Sequence, residues 1–128
     1  MLYTSKTLSY FEHPYNIGLL DVSDKRVATA MVGARACGEV MQMQIMVEKD
    51  TVIDAKVKTY GSGFAIAANS LAASKIIGKS VVEIKQMQLA QEIIQELELP
   101  SSRTHSALLA EEAVIAAVDG YILKLQQD

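Results

Sequence analysis

From residue 39 onward the chain alternates apolar and polar positions. Met41, Met43, Ile45 and Val47 form one set, and Gln42, Gln44 and Glu48 form the other. A second run, 52–60, repeats the alternation, with Ile53, Ala55, Val57 and Thr59 set against Asp54, Lys56 and Lys58. Period-two patterning predicts two strands, each with one buried face. Lys49-Asp50 lies between them and suits a tight turn. Residues 25–32 suggest a preceding strand. With the turn tip at Lys49 and Asp50, Cys37 lies across from Ser62. A slip of one residue changes the partner but leaves the loops adjacent. Cys37-Gly38-Glu39 and Gly61-Ser62-Gly63 are therefore expected at one end of the sheet.

Helical signals surround these strands. Residues 2–12 read as a short helix ended by His13-Pro14, because the residue before proline disfavours helical backbone. Tyr15-Asn16-Ile17-Gly18 reads as a loop, as does His13. Phe64 through Ile77 is rich in Ala, Ile and Leu, with Ser62 placed to cap its start and Gly78 to follow its end. Ser80-Val81-Val82-Glu83 fits a capping box, and Leu89 through Leu97 reads as another helix. Leu99-Pro100-Ser101-Ser102 breaks the chain. A last helix is expected over 103–126, with Leu108, Ile115, Val118, Ile122 and Leu125 on one stripe and Gly120 weakening it by about 1 kcal/mol relative to Ala. His105 and Ser106 fall in its first turn. The resulting fold class is α+β: one domain over 1–128, a three-stranded antiparallel sheet with helices packed on one face.

Composition narrows the function. A chain of 128 residues fits one domain, and 50% hydrophobic residues suffice for a core. The net charge is −3 and the cations are scattered, so no nucleic-acid footprint is present. No apolar stretch approaches the roughly 20 residues of a membrane span, and the N-terminus has neither an apolar core segment nor a cleavage site of a secretory signal. One cysteine forms no intramolecular disulfide, the usage expected in a reduced, cytoplasmic setting. Met41, Met43 and Met46 are explained by strand packing rather than by copper binding. No nucleophile–base–orienter set is present, so independent enzymatic activity is not expected.

The candidate chemistry centres on Cys37. A lone cysteine is most simply a small buried hydrophobe, but a glycine-flanked loop between Arg35 and Glu39 points to an exposed thiol that nearby positive charge would activate. Without further context, Glu39 is a charged strand end, His105 a capping or solvent-facing residue, and Ser62 and Ser106 caps. Glu111-Glu112 reads as a solvated helix face, since adjacent helical residues point about 100° apart.

Four segments carry a family resemblance: Tyr10-Phe11-Glu12-His13-Pro14-Tyr15-Asn16-Ile17-Gly18, Met31 through Val40, Lys58 through Ala67, and Glu96-Leu97-Glu98-Leu99-Pro100 followed by His105 through Ala113. In order and spacing they resemble the IscU/NifU N-terminal family of iron–sulfur cluster assembly scaffolds, over essentially the whole chain. Such scaffolds use three cysteines, an aspartate and, in one branch, a histidine. The resemblance places the first cysteine at Cys37, the aspartate at Glu39, the histidine at His105 and the other two cysteines at Ser62 and Ser106. The family's lysine becomes Arg103, and its Leu-Pro-Pro-Val-Lys chaperone motif keeps only its start in Leu99-Pro100-Ser101-Ser102-Arg103, which puts chaperone binding in question.

The resemblance implies a depleted site. Clusters are held mainly by thiolates, and serine neither ligates iron comparably nor carries a persulfide. Cofactor binding would fall to Cys37, with Ser62 and Ser106 at the former thiol positions. Cys37, Glu39 and His105 would form a set for one Zn or Fe ion, or two subunits would each give Cys37 and His105 to a shared 2Fe–2S cluster as a homo-oligomer. Expected partners are a cysteine desulfurase or other iron–sulfur assembly proteins, with neither nucleic acid nor membrane involved. The alternatives are a non-catalytic module that binds a desulfurase without carrying a cluster, and a chain whose serines, engineered or drifted, leave it no assembly role.

Overall fold

The structure is a computed structural model that describes residues 3–12 and 14–127. Leu2, the first residue of the first expected helix, and His13, expected in a loop, lie outside the described residues. The elements run α1 (Ser5–Glu12), β1 (Val27–Ala34), β2 (Glu39–Glu48), β3 (Thr51–Tyr60), α2 (Gly63–Ile76), α3 (Val81–Gln86), α4 (Leu89–Leu97) and α5 (Thr104–Gln127). The strands form one antiparallel sheet in the order β1-β2-β3. Among the described residues no helix is long and apolar enough to cross a membrane.

β2 is the central strand, and Met41, Met43, Ile45 and Val47 are buried as its pattern predicts. Lys49 and Asp50 both adopt left-handed backbone, φ 53° and 63°, as a two-residue hairpin turn of type I′ requires. The register then shifts: Val47 faces Val52, while Met46 faces Asp54. The extra residue, Ile53, is bulged out, and the inward parity of β3 moves with it. Val52 is fully buried and Ile53 is 43% exposed, reversing the expected burial of Ile53. Gln44 is a second departure. Expected to face solvent, it is buried on the outer sheet face, where it accepts from Leu20 N at 2.7 Å and donates to Thr29 Oγ1 at 3.0 Å.

α2 and α5 pack on the inner face. The buried face of α5 is Ser106, Ala107, Ala110, Ala113, Val114, Ala117, Val118 and Tyr121. Of the expected stripe only Val118 is fully buried, and Leu108 and Leu125 are exposed. Small side chains let α5 approach both the sheet and the alanine-rich α2 closely, so the large residues sit on its flanks. Local helix signals are realised. Ser80 and Glu83 form the capping box, and Gly78 follows α2 at φ 90°. α4 has no side-chain cap of its own at Gln88; Glu111 of α5 supplies one, its Oε2 accepting from Ala90 N at 2.9 Å. Glu111 is thus half-buried and structural, not merely solvated.

Candidate functional site

Three loops meet at one end of the sheet. β1 leaves at Ala34 into a single 3-10 turn, Arg35–Cys37, and Gly38 at φ 85° turns the chain into β2 at Glu39. β3 leaves at Tyr60 through Gly61 at φ 149° to Ser62, which caps α2 by accepting from Ala65 N at 3.4 Å. α5 begins at Thr104 after a 3-10 turn, Ser101–Arg103, so His105 and Ser106 lie in its first turn. Near this end Val40 pairs with Tyr60. The bulge therefore offsets the expected Cys37–Ser62 alignment by one residue and keeps the two loops adjacent.

Glu39 is the centre of the site. It shares inward parity with Met41, and only 5% of it is exposed. Its backbone and side chain are enclosed by glycines. A Cβ on Gly33 would stand 2.3 Å from the Glu39 carbonyl oxygen, and one on Gly61 would stand 3.1 Å from Glu39 Cγ. A buried carboxylate requires partners, and two come from α5. The Ser106 hydroxyl, itself fully buried, donates at 2.8 Å to Oε2 and lies 3.1 Å from Oε1. His105 Nε2 is 3.2 Å from Oε2, with 55% of its side chain exposed. The carboxylate also lies at the N-terminal end of α5, where the helix dipole favours negative charge.

Cys37 is exposed. With Glu39 and His105 it lines a cavity of about 270 Å³ whose apolar wall comes from Gly33, Ala34, Leu108 and Leu109, with Glu112 at its edge. The sheet end is braced by stacked cations: the Arg35 guanidinium lies 5.0 Å over the Tyr60 ring and that of Arg103 lies 5.3 Å over Phe64. Tyr3 packs on Phe64 at 4.5 Å between ring centroids and accepts from Gly63 N at 3.2 Å.

The structure thus brings Cys37, Glu39 and His105 to one cavity, puts Ser106 against Glu39 and gives Ser62 a capping role. Among the described residues no three His, Cys, Asp or Glu side chains are grouped closely enough to hold a metal ion. The thiol suits a soft metal, but the carboxylate and imidazole are in contact with each other, so the described residues of a single chain fall short of a complete set. The Ser106–Glu39 bond was missed in the sequence, where a serine in a first helical turn reads as a cap. The one available signal was the paired occurrence of a longer acid at 39 and a hydroxyl at 106.

Known proteins bear out the architecture. The NifU-like N terminal domain family matches residues 2–128. The iron–sulfur cluster assembly scaffold protein IscU of Haemophilus influenzae is 47% identical over 125 residues, covering 97% of this chain and 98% of that protein. The IscU of Rickettsia prowazekii is 48% identical over 122 residues, covering 94% and 92%. The crystal structure of a nitrogen-fixing NifU-like protein (N-terminal) from Brucella abortus shares the fold with a TM-score of 0.73 at 19% identity, covering 94% of each chain. With a family match over nearly the whole chain and relatives close to half identical along their length, the chain belongs to the NifU-like N-terminal domain family.

Proposed function

We propose that this protein works in iron–sulfur cluster assembly as a scaffold-like protein with a depleted site. Cys37 is the one thiolate it offers, either to a single iron or zinc ion or to a 2Fe–2S cluster whose remaining ligands come from a partner or a second copy. Glu39 and His105 are the further donors once the contact between them opens, and Ser62 and Ser106 occupy the positions of the lost thiols. The observation that carries this reading is that an exposed thiol, a carboxylate and an imidazole line one cavity. Relatives named as assembly scaffolds support the class. The donor chemistry favours a shared site over a self-contained one, since clusters take mainly thiolates and Glu39 and His105 are already paired. A cysteine desulfurase or another assembly protein is the partner. Of the chaperone motif only Leu99-Pro100 remains.

Anaerobic reconstitution with iron, sulfide and a cysteine desulfurase tests the proposal. Cluster absorption should appear and be lost in Cys37→Ala; absorption indifferent to that substitution contradicts it. The closed Ser106–Glu39 bond favours a second reading, a module that docks on a desulfurase without a cargo. Co-purification with a desulfurase, free of metal and cluster, would favour that reading.

A further inference from the structure

The Ser106–Glu39 bond is enclosed. Ser106 is fully buried and Glu39 nearly so, which leaves the hydroxyl without water as an alternative partner and the carboxylate with little. Both contacts from α5 converge on Oε2: the hydroxyl at 2.8 Å and His105 Nε2 at 3.2 Å. A carboxylate deprived of such donors in a buried setting bears the full desolvation of its charge. A thiol in place of Ser106 would hold it less firmly, because S–H is a weak donor. An acid one methylene shorter at position 39 would withdraw its oxygens by about 1.5 Å and break the contact. The longer acid and the hydroxyl therefore work as a pair.

We infer that Ser106 is a positioning residue that withholds Glu39, and with it His105, from metal. While its bond to Glu39 stands, Cys37 is the donor free to the cavity; when the bond opens, the site gains a carboxylate and an imidazole. The class of metal rests on the reading above, but the sign of the Ser106 effect does not depend on whether the wild-type protein carries a cluster.

The test is an anaerobic titration with Co²⁺ alone of wild type, Ser106→Ala and the double variant Ser106→Ala/Glu39→Gln. Thiolate-to-cobalt absorption gives the affinity, and melting temperatures are taken on the same samples. Ser106→Ala should melt below wild type yet bind Co²⁺ at least about tenfold tighter. The double variant should lose that gain. A residue with a structural role only would lower melting temperature and affinity together. Unchanged or weaker affinity in folded Ser106→Ala, or a gain that Glu39→Gln leaves intact, overturns the inference. Should Ser106→Ala fail to fold, imidazole ¹⁵N NMR of the wild type decides. The His105 resonance should hold its position at Zn²⁺ concentrations that protect Cys37 from alkylation, and its displacement overturns the inference. A wild type blind to Co²⁺ beside a Ser106→Ala that binds it would count against the metal reading and for the positioning role.

Discussion

Gly33 lies against Glu39 so closely that a Cβ there would stand 2.3 Å from the Glu39 carbonyl oxygen. Gly33 also holds φ 90°, a region costly for any side chain. Gly38 shares the conformation, at φ 85°, but a Cβ on it would meet nothing within 4 Å. Gly38→Ala should therefore lose about 1–2 kcal/mol from backbone strain alone. Gly33→Ala should lose at least about 1 kcal/mol more, because a backbone clash at the entry to β2 adds to that strain. Urea unfolding of the two variants separates these contributions. Equal losses would show that the close approach of Gly33 to Glu39 is not real.

The bulge in the β2–β3 hairpin assigns opposite roles to neighbouring residues. Val52 is fully buried and Ile53 is 43% exposed. Val52→Ala should cost about 2 kcal/mol through lost burial and a residual void. Ile53→Thr should change stability by less than about 0.5 kcal/mol. Thermal or chemical unfolding that ranked them the other way would restore the unbulged register.

Glu111 and Glu112 are a second adjacent pair with unequal roles. Glu111 accepts from Ala90 N at 2.9 Å and so caps α4 from another helix. Glu111→Ala should destabilise by about 1 kcal/mol, the usual cost of a lost cap. Glu112 is exposed, and Glu112→Ala should stay within about 0.5 kcal/mol of wild type. Hydrogen exchange gives a sharper view, since faster exchange confined to the Ala90 amide and its turn is expected in Glu111→Ala only.

Features set by near neighbours in the chain were legible from the sequence. The alternation over 39–48, the helix Leu89–Leu97, the Ser80–Glu83 capping box and the Ser62 cap all follow from contacts a few residues apart. So did the exposure of Cys37, from a glycine-flanked loop. Features set by tertiary contact were not. The position of the bulge depends on how two strands settle against a shared core, and the sequence shows no glycine to mark it. The buried stripe of α5 departs from the large apolar positions that periodicity marks, because a helix pressed between sheet and neighbour selects alanine. The bond between Ser106 and Glu39 spans 67 residues, and nothing local announces it.

At the far end of the sheet, Asp24 makes a paired contact with Arg26: Nη2 to Oδ2 at 2.8 Å and Nε to Oδ1 at 3.1 Å. Hydrogen bonds from the Arg26 side chain, then from its backbone N–H, hold the Asp24 carboxyl down to about 2. A carboxyl depressed in the folded state stabilises it above the ordinary carboxylate range, and that contribution is lost as pH falls through about 2. Carboxyl ¹³C NMR should show Asp24 titrating near 2, with Arg26→Ala moving its midpoint up toward the ordinary 3.8. An Asp24 midpoint already near 3.8 in the wild type would mean the pair is not formed in solution.

The central claim is an inherited cluster site from which two thiols are missing. Restoring them is the direct measurement: anaerobic reconstitution of Ser62→Cys/Ser106→Cys with iron and sulfide, followed by visible absorption, beside the wild-type chain under the same conditions. The account predicts a coloured, cluster-bearing double variant and a wild type that, without a partner, takes up far less. A double variant that folds and stays colourless would contradict it.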